Sequence, residues 1–387
     1  MRVLLSCLQS LRQHRLPAYH FWRSHFVEGC REAGIECIEV PDVDWAEGLT
    51  YPAGGHELLS WRERTWERVL AFARREHARQ CIDFFLGYLY PSQIEPDAIV
   101  QLQCLGIPCV NFFCDNVREF DRVPVEYLPF ALHWVPEFEA LPIYKSAGLP
   151  HAHVPMPCWV PNDLRTVPAD ELEPATFLGS ADILRRDILG RALKAGATFE
   201  VRGRGWSEES EKSEPSTLKQ LNRSLLANQM RLVRARGVTP VLRKVQNKLF
   251  ALDPPPIPPN LVRPTVSDSD YLRITREAVI AIGVNRVPTA RRSDRNPLVY
   301  SRLRDLEAPM VGACYLTEWT AGLGMLFDLG QEIETYRTAE ELAGKIKELS
   351  RDPMRRRRLR EQGQRRALND HSAANSLKLI SRRATGQ

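Results

Sequence analysis

Residues 300–336 read YSRLRDLEAPMVGACYLTEWTAGLGMLFDLGQEIETY, from Tyr300 to Tyr336. Arg304 to Pro309 end an amphipathic run, and Gly312-Ala313 break it. Cys314-Tyr315-Leu316-Thr317 is a short apolar strand, and Gly322, Gly324 and Gly330 punctuate the loop that follows. The order is therefore an acidic residue on a helix, a small-residue turn, a strand and a glycine-rich loop. A carboxylate such as Glu307 at a helix start can accept two charged hydrogen bonds from a diol. Amides of a glycine-rich turn at a helix N-terminus can hold an anion. On the residues alone, Glu307 is either such a ligand or a solvent-facing helix residue, and the glycines either hold an anion or only turn the chain.

This stretch resembles the C-terminal signature of GT-B-type glycosyltransferases, and within them the CgeB (spore maturation protein B) group. That group's pattern runs roughly R-x-F-E-x-x-A-x-G-A-x-L-L-T-E, then G-L, L-F and G-x-E-x-x-x-Y. Leu306 stands at its Phe, and Pro309 to Ala313 cover its small-residue turn. The resemblance implies an α/β protein of GT-B architecture, two Rossmann-like doubly wound domains facing across a cleft. It implies glycosyl transfer from a nucleotide sugar, with Glu307 on the ribose and Arg304, Gly322 and Leu323 at the donor. GT-B-type enzymes use side chains and helix dipoles, so no cofactor or metal is expected. The large retaining GT-B family has an E-x7-E pair, but the place eight before Glu307 is Val299. Retaining or inverting stereochemistry is left open by that departure.

Outward from this stretch, the N-terminal half alternates strands and helices. Arg2 to Cys7, Glu36 to Val40, Ile82 to Leu86 and Ile107 to Phe113 read as strands. Pro17 to Glu32 (capped by Gly34), His56 to Gln80 and Gln93 to Leu105 read as helices. This spacing argues for a parallel, doubly wound sheet, whose ligands lie outside the carboxyl ends of the strands. The rule selects the loop with Arg12 and His14, the segment Gly87 to Pro91, and Cys114-Asp115-Asn116. Asp115 is a general-base candidate for an acceptor hydroxyl, or else an Asx-turn residue shaping its loop. His20, just inside the first helix, is a second candidate base or acceptor contact, or a packing residue beside Tyr19 and Phe21. His133 lies in an apolar segment and reads as packing. Tyr144 to Gly148 and Pro155 to Pro157 match the family's entry into its linker.

In the second half, Ala175 to Ser180 is a strand running into a small-residue turn, followed by a helix carrying Arg185 and Arg186. A Rossmann-like half places phosphate there, on amides of Gly179 and Ser180 with Arg185 nearby. The full G-x-G-x-x-G is absent, and the resemblance supplies the assignment, since F-x-G-S followed by R opens the group's nucleotide domain. Phe199 to Trp206 matches its V-x-G-x-G-W, where Arg204 or Trp206 faces the donor or Trp206 is core. Asp268-Ser269-Asp270 spells D-x-D, but it precedes a helix, where Ser or Asp is an ordinary N-cap. Val279 to Asn285 is a strand with Asn285 at its donor end, and Arg291, Arg292 and Arg295 follow in a loop that either neutralises pyrophosphate or is solvated. The run Arg355 to Arg358 reads as a solvated helix face.

The domains expected are 1–158 for the acceptor, 159–365 for the donor, and a C-terminal helix in 366–387 packing back on the first. An insertion at 207–264 interrupts the family pattern. From Lys219 to Phe250 it holds eight Lys or Arg and no acidic residue. Such a segment suits peripheral contact with an anionic membrane, or a basic lid or oligomer contact. At 387 residues with 43% hydrophobic and 26% charged, the chain is long enough for two cores and too apolar for disorder. A net charge of +5 is too mild to argue for nucleic acid. No signal peptide or 18-residue apolar window is present, and the nine scattered cysteines read as reduced packing residues. The expectation is a cytoplasmic protein, at the inner face of the cell membrane if the insertion docks there. Its partners would be a nucleotide sugar and a glycan, lipid-linked or protein acceptor. A sugar-nucleotide epimerase and a non-catalytic coat or envelope assembly protein are the rival readings.

Overall fold

The computed structural model describes residues 1–7, 10, 12, 19–206, 252–289 and 292–386. His14, Arg291 and the basic segment 219–250 lie outside the described residues, as does the side chain of His20. The chain divides into two units, Met1–Val160 with Asn369–Gln387, and Pro161–Leu368.

In the first unit the strands are β1 (Arg2–Cys7), β2 (Glu36–Glu39), β3 (Phe84–Tyr88), β4 (Cys109–Phe112), β5 (Leu132–Trp134) and β6 (His151–Ala152). They form one sheet in the order β2-β1-β3-β4-β5-β6, and every pairing is parallel. The helices are α1 (Tyr19–Ala33), α2 (His56–Arg79), α3 (Pro96–Cys104), α4 (Asn116–Glu119) and α5 (Leu141–Ser146). Six consecutive buried residues in β1 mark a strand covered on both faces. Trp22 and Phe26 of α1 meet Tyr88, Phe112 and Trp134 on one face, and Trp66 of α2 meets Phe85 on the other. Gly34 ends α1 at φ +70, the left-handed cap that its sequence position predicts. The segment Gln93 to Leu105 is not one helix, because Pro96 at its first turn starts α3 after a separate 3-10 turn at Pro91–Gln93. The C-terminal helix Ala373–Thr385 packs on α1 where a methyl on Gly29 would meet the Ala373 Cβ at 2.6 Å.

The second unit carries β7 (Thr176–Leu178), β8 (Glu200–Arg202), β9 (Val262–Arg263), β10 (Ala281–Gly283), β11 (Arg286–Val287), β12 (Leu298–Val299), β13 (Tyr315–Glu318) and β14 (Glu334–Tyr336). Its helices are α6 (Ile183–Lys194), α7 (Asp268–Glu277), α8 (Arg304–Met310), α9 (Leu323–Leu326), α10 (Ala339–Arg351) and α11 (Pro353–Asp370). The main sheet runs β14-β13-β10-β7-β8-β9, all parallel. Strand order therefore reverses between β7 and β10. In open sheets of this kind the crevice outside the carboxyl ends at that reversal is where ligands bind.

Two expectations need correction here. The run Arg355 to Arg358 is not a uniformly solvated face. Arg356 is 8% exposed and Arg360, one turn on, only 2%, and both grip Glu171. Arg360 also donates to the carbonyls of Arg276 and Gly312 at 2.8 and 3.0 Å. The cysteines are all free, but Cys81 and Cys104 are exposed and so do not pack.

Candidate nucleotide site

The turn after β7 is built by crossing it over the turn after β8. Gly179 N donates to Arg202 O at 2.8 Å and Ala181 N to Arg204 O at 2.7 Å. The Trp206 indole N–H donates to Gly179 O at 2.7 Å, and its ring meets Phe177 edge-on at 5.9 Å. Trp206 thus belongs to the core and locks the turn. Gly203, at φ +141, lies where a Cβ would be 2.3 Å from Gly179 O. Gly203→Ala is expected to cost about 2–4 kcal/mol, from strain at a positive φ plus overpacking against backbone. Urea unfolding would read that loss, and wild-type stability would contradict the crossing.

The same bonds change the expected role of Gly179 and of α6. The Gly179 amide is spent on Arg202, so it is not offered to phosphate. At the start of α6 the Asp182 carboxylate accepts from Leu184 N at 3.0 Å and Arg185 N at 2.9 Å. A carboxylate already occupies the anion position that the helix end provides. Arg185 is drawn to Asp182 at 3.2 Å and to Ser180 O at 2.9 Å. Arg204 is exposed, contributing its carbonyl to the turn.

What the turn does bring together is an arginine cluster on Phe177. Arg185 and Arg304 lie 5.8 and 5.7 Å from the Phe177 ring centre. A Cβ on Gly179 would lie 3.5 Å from Arg304 Nη2, so the guanidinium abuts the glycine. Arg304 Nε donates to the Tyr271 hydroxyl at 2.9 Å. Glu307, one turn along α8, is 5% exposed, which removes the solvent-facing reading. Burial pushes its carboxyl up to about 7, against the opposing pull of Arg304 and Tyr271. Burial opposes charge on Arg304 too, yet Tyr271, Tyr315 and Glu307 hold its guanidinium firmly protonated.

Asn285 is placed differently from the expectation of a donor contact. Its side-chain amide donates to Asp305 Oδ2 at 3.1 Å, to Thr317 Oγ1 at 3.2 Å and to Glu318 O at 2.9 Å. Asp305, at 0% exposure, is the hub that positions α8. It accepts from Ser301 Oγ at 2.9 Å, Arg302 N at 3.0 Å, Tyr315 OH at 2.8 Å and Thr317 Oγ1 at 2.9 Å. Gly283 makes room for this, since a Cβ there would lie 2.2 Å from the Tyr315 hydroxyl. Glu318, also buried, accepts from Asn285 N at 3.1 Å and Arg286 N at 3.0 Å and pairs with the Arg286 side chain. Asp305, Glu318 and Tyr271 were legible only as an acidic residue beside Glu307, the T-E of the motif, and a helix aromatic.

The glycine-rich loop leaves β13 toward α9. The Leu323 amide turns back to Thr320 O at 3.3 Å, so of the two expected contacts Gly322 lies at the helix start and Leu323 is fully buried. Thr320 is 2% exposed, and its hydroxyl has no hydrogen-bond partner among the described residues. Buried hydroxyls are rarely left so. The D-x-D segment opens α7, where Ser267 is the cap and accepts from Asp270 N at 3.2 Å. Arg292 is exposed.

In the first unit Asp115 is half-buried at the start of α4, with its carbonyl bonded to Glu119 N at 2.9 Å. Beside it, Glu137 is fully buried and accepts from Asn116 N at 2.8 Å. Burial first, with Asp115 adding to it, pushes the Glu137 carboxyl up to about 8. His133 is fully buried and its imidazole is pushed down to about 4 by burial, as its packing reading requires. Among the described residues no group of three or more His, Cys, Asp or Glu is arranged to hold a metal ion. Among them, too, no helix is long and apolar enough to cross a membrane.

Residues 185–381, just over half of the chain, match the family described as glycosyl transferase-like. HepE of Anabaena, solved in complex with UDP and glucose, superposes with a TM-score of 0.56 at 13% identity, covering 100% of both chains. Sucrose-phosphate synthase of Thermosynechococcus elongatus gives 0.57 at 14% identity, covering 100% of this chain and 99% of that one. A glycosyltransferase of Rickettsia africae gives 0.53 at 11% identity, with 99% and 98% covered. Such low identities speak to the fold. A search of curated proteins returns no match. With two parallel six-stranded sheets on the GT-B plan of these structures, the chain belongs to the glycosyl transferase-like family.

Proposed function

We propose that the protein transfers a sugar from a nucleoside diphosphate sugar to a hydroxyl of a cell-surface glycan, lipid-linked or protein acceptor. The observation that carries this reading is Glu307, a buried carboxylate one turn from an arginine that lies against the Gly179 turn where strand order reverses. In this reading Glu307 accepts from the ribose diol. Arg304, with Ser180 and Arg185, faces the pyrophosphate, where preorganised cations stabilise the charge of the leaving diphosphate. The Thr320 hydroxyl and the Gly322 turn supply further donors. The cationic side chains take the place of a resident metal. Asp115 is the proposed base on the acceptor side, with His20 as a second contact there.

The motif at 300–336 supports a place in the CgeB-like group, and the UDP complexes of HepE support uridine as the first base to test. The protein would work on the cytoplasmic side of the cell membrane, docked through the basic stretch 219–250. A thermal-shift panel of UDP, GDP, ADP, CMP and dTDP, with and without magnesium, tests the donor half. One nucleotide at about 100 times its Kd should add ~2.7 kcal/mol of stability by mass action. A magnesium-independent rise with one base is expected. No rise with any of them would contradict the proposal.

A further inference from the structure

The residues discussed so far as donor ligands leave out Tyr271, on the first turns of α7. Its hydroxyl accepts from Arg304 Nε at 2.9 Å, and Tyr271 and Arg304 both pull the Glu307 carboxyl down against its burial. An arginine can only donate, so the Tyr271 oxygen is the acceptor of this bond. Arg304 and Glu307 are three apart on α8 and so share a face. The Arg304 guanidinium also lies 5.6 Å from the Tyr271 ring centre, completing a stack with Phe177 on its other contact at 5.7 Å. Tyr271 itself is fixed by the helix cap, its amide donating to Ser267 O at 2.9 Å. One side chain thus fixes the α8 arginine that the nucleotide reading puts on pyrophosphate, on the helix face that also carries the ribose carboxylate.

We propose that Tyr271 is a positioning residue of the nucleotide site, holding Arg304 against the Gly179 turn beside the Glu307 carboxylate. This rests on the nucleotide reading above. Charged groups act on Glu307 from two elements: Arg304 on its own helix and Tyr271 on α7. Tyr315 of β13 and Tyr271 act in turn on Arg304. The carboxylate has lone pairs enough for two ribose hydroxyls. Those hydroxyls are donors and so select the ionised carboxylate.

The pH dependence follows. With the empty-site carboxyl near 7, nucleotide affinity should be steady above that value. Below it, affinity should fall by up to about tenfold per pH unit, because binding must first release a proton. Tyr271 lowers the Glu307 carboxyl, so its removal moves the break to higher pH.

Titration calorimetry of UDP from pH 6 to 8.5 on the whole protein, for wild type, Tyr271→Phe and Glu307→Gln, reads both effects. If another nucleotide wins the panel above, that one replaces UDP. Tyr271→Phe should bind about tenfold more weakly at pH 7, recover part of the loss at pH 8.5 and break at higher pH. Glu307→Gln should show no break. Tyr271→His, which keeps a ring and a donor, should restore part of the affinity and serves if the Phe variant fails to fold. Wild-type affinity and profile in Tyr271→Phe, or a loss equal at every pH, would overturn the role of Tyr271 alone. Failure of the wild type to bind any nucleotide would overturn the nucleotide reading and this inference with it.

Discussion

Glu307→Ala is expected to weaken nucleotide binding by about 10–100-fold, the loss of charged hydrogen bonds worth roughly 1.5–3 kcal/mol. Asp115→Asn is expected to leave that binding unchanged and to abolish transfer. The contrast follows from where the two carboxylates stand. Glu307 is enclosed in the second unit with Arg304 and Tyr271. Asp115 belongs to the first unit, beside the neutral-leaning Glu137. If Glu307 holds the ribose, its removal acts before chemistry and appears in Kd. If Asp115 draws a proton from the acceptor, its neutral amide isostere appears in kcat only. Isothermal titration with the nucleotide and a turnover assay with the sugar donor separate the two. Normal donor affinity in Glu307→Ala would remove the assignment.

Asp305→Ala should destabilise the protein more than any exposed substitution in the same helix. Its carboxylate collects donors from Asn285, Ser301, Arg302, Tyr315 and Thr317. Truncation strands those neutral donors in a dry interior, at about 1–3 kcal/mol for each one left without an acceptor, about 3–5 kcal/mol if two or three are. At about 2–4 °C per kcal/mol for a unit of this size, Tm should fall by about 6–20 °C. Asp305→Asn keeps the shape but aims an amide N–H₂ at groups that already donate, and should recover only part of the loss. Calorimetry reads both. A fall within 2 °C for the Ala variant, about one exposed contact's worth, would mean the hub does not hold α8 in place.

The sheet architecture was legible because strand and helix signals alternate without ambiguity, and parallel sheets buried on both faces write apolar runs such as Val3 to Cys7. Glu307 was legible through its motif, though not its burial. The roles of Gly179 and α6 were misjudged because a strand–glycine–serine–helix pattern does not reveal that Asp182 caps the helix or that Arg202 takes the glycine amide. The glycine's bond is set by the crossing of two turns, whereas the Asp182 cap is local, two and three residues before its donors. Arg356 and Arg360 look solvated by composition, but their partner Glu171 lies 185 and 189 residues away in sequence. Tyr271 was hidden for the same reason, joined to Arg304 across 33 residues. Apart from the Asp182 cap, non-local pairing decides each of these, and no local pattern encodes it.

Whether Glu307 receives a ribose diol is read by a double-mutant cycle. The nucleoside diphosphate selected in the panel and its 2′,3′-dideoxy analogue would be titrated against wild type and Glu307→Gln at pH 8. Wild type should prefer the natural nucleotide by about 10–100-fold, the worth of one or two charged hydrogen bonds. Glu307→Gln should lose most of that preference, while binding the dideoxy analogue about as wild type does. If Glu307→Gln discriminates against the dideoxy analogue as strongly as wild type, the diol is read elsewhere and the account fails.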